Sequence, residues 1–289
     1  MPSSDPVCSA VVIAIVGGAN LERCIAALAA IGVPITIVGP RQLLGNFLSE
    51  PPSRARCIEM ADNVPARRAV GIQSVSSEWV LLIEDTCVPD AGIAAVIRDL
   101  ASVGEDVTAI SGPVCIAKSL APASMALGCT EYGEYRAGSD KSARPITRIH
   151  GLCSLFRRRA VTDFERIIDT EVHAALLARG GRFQFDDRFV VEFAACDSRM
   201  TNLASRYAHG RLYGGIARYR PGINAKVVPL ARCLLLPVVL TWRAAGAIPA
   251  SVNRSAVLVQ IAKMSTAWAC GEAVGAVRGP GDASLREWQ

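Results

Sequence analysis

The sequence predicts an α/β protein: a doubly wound, mostly parallel sheet followed by an apolar, helical C-terminal extension. Three observations predict it. Short apolar runs of strand length alternate with helix-length stretches through the N-terminal part. Gly, Pro or Asn punctuates nearly every change of rhythm. Beyond about residue 200 the strand-like runs stop and the apolar stretches lengthen.

Val11 to Val16 reads as a buried strand, and Gly17-Gly18-Ala19 turns the chain. Asn20 is placed to cap a helix reaching Ala30. Ile35 to Val38 is a second strand, broken by Gly39-Pro40, and Arg56 to Met60 a third. Asp62 or Asn63 caps the next helix, with Pro65 in its first turn; this helix carries Arg67 and Arg68. Trp79 to Ile83 is a continuous apolar run, the mark of a strand covered on both faces. Glu84 and Asp85 follow it at what should be an exposed strand end. Ile93 to Val103 is helical, and Val107 to Ala117 is a strand interrupted by Gly112-Pro113. Ala121 to Tyr135 is a helix or a loop. Gly151 to Phe156 is a short strand, and Asp169 to Arg179 a helix closed by Gly180-Gly181. Arg182 to Phe185 and Phe189 to Phe193 are strands. From about Asp197 the chain reads as helical, with breaks at Pro221-Gly222, Pro237, Gly246 and Pro249. The domain boundary is placed near 200, giving an α/β domain over 1–200 and a helical region over 201–289.

Composition narrows the function. Hydrophobic residues make up 51% of the 289, charged residues only 20%, and the mean hydropathy is +0.30. Such a chain has apolar surface to rest on lipid or on a partner. The net charge of +5 is mild, and no aromatic-interleaved basic motif supports nucleic-acid binding. Ten cysteines without a CxxC pair read as reduced core thiols of a cytoplasmic protein. The N-terminal MPSSDPVCSA lacks the basic start of a signal peptide. Cys233 to Trp242 is too short to span a bilayer, and Lys263 and Glu272 interrupt the longer stretch Ser255 to Val277. With Arg232, Arg243 and Arg254 alongside, these stretches predict peripheral contact with an anionic membrane surface.

In open α/β sheets, ligands sit in the crevice outside the carboxyl ends of the strands. Two carboxylates there, Glu84 and Asp85, can hold a divalent cation, and a cation can neutralise a diphosphate. The plainer alternative is that both merely cap the helix beginning near Asp90. Gly17-Gly18 at a strand end lacks the GxGxxG pattern, which argues against a nicotinamide enzyme. Arg68 reads as part of a solvated helix face, and Arg157-Arg158-Arg159 as surface charge.

Ala66-Arg67-Arg68, Ser77-Glu78-Trp79, Glu84-Asp85-Thr86 and Pro89-Asp90-Ala91-Gly92 stand together in one order within thirty residues. That order resembles the nucleotide-sugar-binding half of family 2 glycosyltransferases, which have the GT-A fold. Gly151 to Arg158 resembles the family segment beside the sugar. In the family, a helix opens with an acidic pair and ends at Gly. Asp169 matches the second acid, Ile168 replaces the first, and Glu171 lies two residues on. The tail Trp268 to Gly281 is similar to that of a bacterial subgroup whose strand-end motif is Glu-Asp-His.

The resemblance implies a UDP- or GDP-linked nucleotide-sugar donor and a glycan or lipid-linked acceptor. It implies Mg2+ or Mn2+ on Asp85 and Glu84, donor contacts from Arg67 and Gly151, and Asp169 as general base with Glu171 as its rival. Departures from the family are Thr86 for the third acid, Ile168, and Gly39-Pro40-Arg41 where acids usually follow the second strand. Glu59 and Asp62 are candidate substitutes there. These departures keep a second reading open: a catalytically silent GT-A relative acting as a binding or scaffold subunit.

Overall fold

The computed structural model describes residues 6–138, 146–196, 198–217 and 227–281. In chain order the elements are β1 (Cys8–Ile13), α1 (Gly18–Ile31), β2 (Ile35–Gly39), α2 (Arg41–Leu44), β3 (Ala55–Glu59) and α3 (Val64–Gln73). Then come β4 (Trp79–Glu84), β5 (Cys87–Pro89), α4 (Ile93–Asp99), β6 (Val107–Ser111), β7 (Val114–Ile116) and α5 (Pro122–Tyr132). They continue with β8 (Cys153–Arg157), α6 (Asp169–Ala178), β9 (Arg182–Phe185), β10 (Val191–Phe193), α7 (Leu203–Ala217), α8 (Val227–Ala245) and α9 (Arg254–Arg278). Two compact units result: residues 1–115 with 135–195, and 116–134 with 196–289.

The first unit is built on a seven-stranded sheet in the order β3-β2-β1-β4-β8-β6-β9. All of its pairings are parallel except those of β8, which runs antiparallel to β4 and β6. The mostly parallel α/β sheet expected from the sequence is therefore present. Both β1 and β4 are buried at every residue, as continuous apolar interior strands should be. Val80 and Leu82 of β4, Val11 and Ile13 of β1, Ala69 and Ile72 of α3, and Val172 and Leu176 of α6 share one core cluster. Helices α3 and α6 thus cover the same sheet face. Strand alternation puts Glu84 on that face too, in step with Val80 and Leu82.

Local departures from the sequence reading have physical causes. β1 ends at Ile13 rather than Val16, because the N–H groups of Ile15, Val16 and Gly17 turn to the Asp85 carboxylate instead of a neighbouring strand. Asn20 caps nothing; α1 starts at Gly18 behind Gly17. Asn63 does cap α3, accepting from the Ala66 N–H. The run Val107 to Ala117 splits into two strands that join different sheets, and β7 lies with β10 and β5 in a small three-stranded sheet. Arg157 is not surface charge. It is buried over the Trp79 ring at 4.5 Å and pairs with Glu78.

The second unit is helical. α7 and α9 approach backbone to backbone through glycines four apart on each helix. A Cβ on Gly210 would stand 2.1 Å from the Trp268 carbonyl oxygen, and one on Gly214 2.2 Å from that of Glu272. Conversely, Gly271 and Gly275 press against the Tyr207 and Arg211 carbonyls. Small residues at this spacing let helix backbones close up. Helix α8 continues through Pro237, where a break was expected, and stops at Ala245 before Gly246. Among the described residues, no helix is long and apolar enough to cross a membrane.

Candidate functional site

The sheet order reverses beside β1: β2 lies on one side and β4 on the other. The carboxyl ends of β1 and β4 therefore flank a topological switch point, where α/β sheets bind ligands. Ile13 and Glu84 are register partners at that edge.

Asp85 is 1% exposed, not at an open strand end as the sequence suggested. Its Oδ1 accepts from Ile15 N–H at 2.8 Å and Val16 N–H at 3.0 Å. Its Oδ2 accepts from Gly17 N–H at 2.6 Å and Val16 N–H at 3.1 Å. A carboxylate offers about four lone-pair sites, so these bonds fill it. Burial pushes the Asp85 carboxyl above its ordinary pKa, and the backbone N–H groups pull against that rise. Arg67 braces the same turn from the α3 side. Its Nε donates to the Asp62 carbonyl at 2.6 Å and a terminal nitrogen to the Ala14 carbonyl at 2.9 Å.

The neighbouring cluster is organised by a residue the sequence placed in solvent. Arg68 is 3% exposed. One terminal nitrogen donates to Glu84 Oε1 and, at 3.3 Å, to the Gly151 carbonyl. The other donates to Asp169 Oδ1 at 3.0 Å and to the Ile167 carbonyl at 3.4 Å. A signal was available in the sequence: Arg68 lies four residues after Val64 and four before Ile72, on the helix face that meets the sheet. Glu84 Oε2 accepts from the Thr86 hydroxyl at 3.2 Å, so the residue replacing the third acid serves the first. Burial raises the Glu84 pKa; Arg68 opposes the rise, and the Asp169 and Asp85 charges add to it.

Asp169 opens α6, where the helix dipole favours its charge. Its side chain is 33% exposed, against 8% for Glu84. It is the member of the cluster that reaches solvent. Gly151 lies directly against it: a Cβ at that position would sit 2.0 Å from Asp169 Oδ2. Glu171 is exposed on the same helix, and its carboxylate takes no part in these contacts. His173, one turn after Asp169, is buried edge-on to Phe183, and burial lowers its pKa. Burial favours its neutral form, and its ring packs in the core. Glu59 pairs through both oxygens with Arg41, and the Asp62 side chain accepts from the Asn63 N–H.

The structure thus brings together Glu84, Asp169 and Gly151 around Arg68, sets Asp85 and Arg67 into the adjoining turn, and leaves Glu171 apart. For Mg2+ or Mn2+ at Glu84 and Asp85, these residues do not fit as they stand. Both Asp85 oxygens are filled by N–H donors, and a guanidinium already lies on Glu84. No group of three or more His, Cys, Asp or Glu suited to a metal occurs among the described residues.

Neither a protein-family model nor a curated protein sequence matches the chain. Among solved structures it is similar to the mannosyltransferase PcManGT from Pyrobaculum calidifontis, in complex with GDP-Man and Mn2+. The TM-score is 0.58 at 14% identity, over 96% of this chain and 88% of that one. It also matches the bifunctional IspDF from Campylobacter jejuni, with a TM-score of 0.39 at 11% identity, over 62% of this chain and 49% of that one. The first likeness gives the fold: a mixed α/β glycosyltransferase-type architecture with a helical C-terminal region.

Proposed function

We propose that the chain is a glycosyltransferase that moves a sugar from a nucleoside-diphosphate donor to a glycan or lipid-linked acceptor. The observation that carries this reading is the convergence of Glu84, Arg68, Asp169 and Gly151 beside the switch point of a glycosyltransferase-type fold. The similar mannosyltransferase binds GDP-Man, and we extend a nucleotide-sugar donor, UDP- or GDP-linked, to this chain.

In this reading the donor diphosphate enters the crevice between β1 and β4, against the turn that Asp85 and Arg67 hold rigid. Asp169 is the general base. Its Oδ1 is tied to Arg68 while the rest of the carboxylate meets solvent, so an acceptor hydroxyl can reach it and lose its proton there. Gly151, lacking a side chain, lets the backbone pass directly against that carboxylate and so sets its position. The Mn2+ of the mannosyltransferase complex suggests metal assistance, but the filled oxygens of Asp85 and the Arg68 contact on Glu84 do not favour it, so no step is routed through a cation.

The test is calorimetric titration with UDP, GDP and their sugars, followed by turnover of Asp169→Asn. Removing a general base costs ~10²–10⁴ in rate, while donor affinity should stay within a few fold. Binding of no nucleotide would defeat the enzyme reading. It would favour the silent scaffold, a reading supported by the saturated Asp85 carboxylate. Full turnover by Asp169→Asn with loss in Glu171→Gln would move the base to Glu171.

The acceptor side is proposed to lie at the cytoplasmic face of an anionic membrane. Leu234, Leu235, Val238 and Trp242 of α8 are 66–82% exposed and form one helical stripe. No acid occurs from Val227 to Asn253, Arg243 is exposed, and Arg254 caps the Ala245 carbonyl at the end of α8. An apolar stripe ending in Trp with basic neighbours suits the lipid interface. The protein should pellet with anionic vesicles at low salt and be released at high salt, and Leu235→Glu should remove the binding. Equal binding by Leu235→Glu would rule out this surface.

A further inference from the structure

The cluster around Arg68 has the composition of a hard-cation site, yet its centre is a side chain. Two carboxylates, Glu84 and Asp169, and two backbone carbonyls, Gly151 and Ile167, direct oxygens at one guanidinium. Oxygen ligands of this kind, two carboxylates with carbonyl support, are what Mg2+ and Mn2+ take. They come from β4, the first residue of α6, the segment just before α6 and the turn before β8, and they converge on Arg68 of α3. Arg68 is 3% exposed, enclosed between α3 and the sheet. A divalent ion between Glu84 and Asp169 would have to share this pocket with it, placing two positive charges side by side in a buried setting.

We propose that Arg68 is the built-in cation of this site, occupying the position a divalent metal would need and making the wild-type protein indifferent to Mg2+ and Mn2+. Its position is specified from both sides. Glu84 anchors it in the interior, and Thr86 gives Glu84 a hydroxyl partner rather than a further acid. Asp85 is taken out of contention by the three N–H groups of the turn after β1. Removing the guanidinium leaves Glu84 and Asp169 facing the same space without the ion-pair partner they share, which turns a cation-filled pocket into a cation-binding one. The assignment concerns the site read above as the donor and base site, but the metal chemistry can be tested without that reading.

The experiment titrates Mn2+ alone into the purified full chain, followed by calorimetry and by loss of the free Mn2+ electron-spin-resonance signal. The wild type should show no saturable site that Glu84→Gln removes. Arg68→Met should gain a saturable site at least about tenfold tighter than any wild-type binding, and Arg68→Met with Glu84→Gln should lose it again. Tight Mn2+ binding by the wild type that Glu84→Gln abolishes would overturn the proposal, because Arg68 would then be yielding its place. A folded Arg68→Met that binds no Mn2+ would overturn it too, since the oxygens would not form a cation site. If Arg68→Met does not fold, the wild-type and Glu84→Gln titrations still decide. If no nucleotide binds to any variant, the glycosyltransferase reading fails while the Mn2+ result stands on its own.

Discussion

Each unit of the protein buries arginine against carboxylate oxygens, and two of these sites, at Arg68 and at Arg206, are built differently. Arg68 in the first unit and Arg206 in the second are both 3% exposed. Arg68 is met by the oxygens of Glu84, Asp169, Gly151 and Ile167. Arg206 pairs with Glu131, lies 3.3 Å from His209 Nδ1, and stacks 4.8 Å from the centre of the Trp268 ring. An aromatic face suits a flat guanidinium and offers nothing to a hard metal ion. An oxygen-lined pocket suits either. The Arg206 site therefore reads as helix-packing glue, and the Arg68 site as a ligand-type pocket filled from within.

The largest difference should appear when the arginines are removed. Arg68→Met leaves Glu84, 8% exposed, without its counter-charge. Breaking a buried pair in this way costs roughly 3–5 kcal/mol. Arg206→Met leaves Glu131, whose side chain keeps more exposure than that of Glu84 (33% against 8%) and still has His209 beside it. The loss there should be closer to ~1.5–3 kcal/mol, the worth of a hydrogen bond to a charged group. Urea denaturation of both variants checks the order; equal losses would mean that the two sites are energetically alike.

Much of the first unit was legible in the sequence, because a buried interior strand announces itself: Trp79 to Ile83 and Ile35 to Val38 needed only their apolar runs. The cap at Asn63 and the helix opening at Asp169 were legible for the same local reason. What could not be read was set by distant partners. Arg68 looked solvated because a charged residue on a short helix usually is, and its burial rests on distant partners, among them Glu84 and Asp169, 16 and 101 residues away. Asp85 looked open because nothing local says that the turn at Ile15 to Gly17 will close on it from 70 residues upstream. In the second unit, the glycines of the tail matched a pattern, but their reason is the α7 backbone that they let in.

A middle-sized effect separates the two regions by what limits a glycine. Gly271 faces the Tyr207 carbonyl at 2.0 Å from an added Cβ, and backbone cannot swing aside. Gly271→Ala must push α7 off α9 and draw Trp268 away from Arg206. Overpacking of this kind costs roughly 1–3 kcal/mol. The nearest atoms to an added Cβ at Gly151 are those of the Asp169 carboxylate, the end of a side chain rather than backbone. Gly151→Ala should then cost less than about 1 kcal/mol of stability, while moving Asp169 off Arg68. In the proposed mechanism its turnover falls with little change in donor affinity. A Gly151→Ala protein as unstable as Gly271→Ala would show that Asp169 is locked as firmly as a backbone carbonyl.

The smallest and sharpest difference is one of sign with pH. Glu84 shares its arginine with Asp169 and lies near Asp85. Burial together with those charges holds its carboxyl above the usual pKa of 4.5, despite Arg68. Glu131 is also pushed up by burial, but Arg206 and His209 outweigh that and hold it below 4.5. A carboxylate with a raised folded pKa binds its proton more tightly in the folded state. Its contribution is fully present below the unfolded value and is lost as pH rises through the folded one. A carboxylate with a lowered folded pKa does the reverse: it stabilises above the unfolded value, and that support is lost as pH falls. The cost of Glu84→Gln, measured against wild type, should therefore shrink as pH is raised from about 4 to about 7, while the cost of Glu131→Gln should grow. Urea midpoints of the three proteins across that range give the two slopes. Slopes of the same sign would mean that Arg68 offsets its carboxylates as fully as Arg206 does, and the distinction between a crowded cation pocket and a simple buried pair would fall.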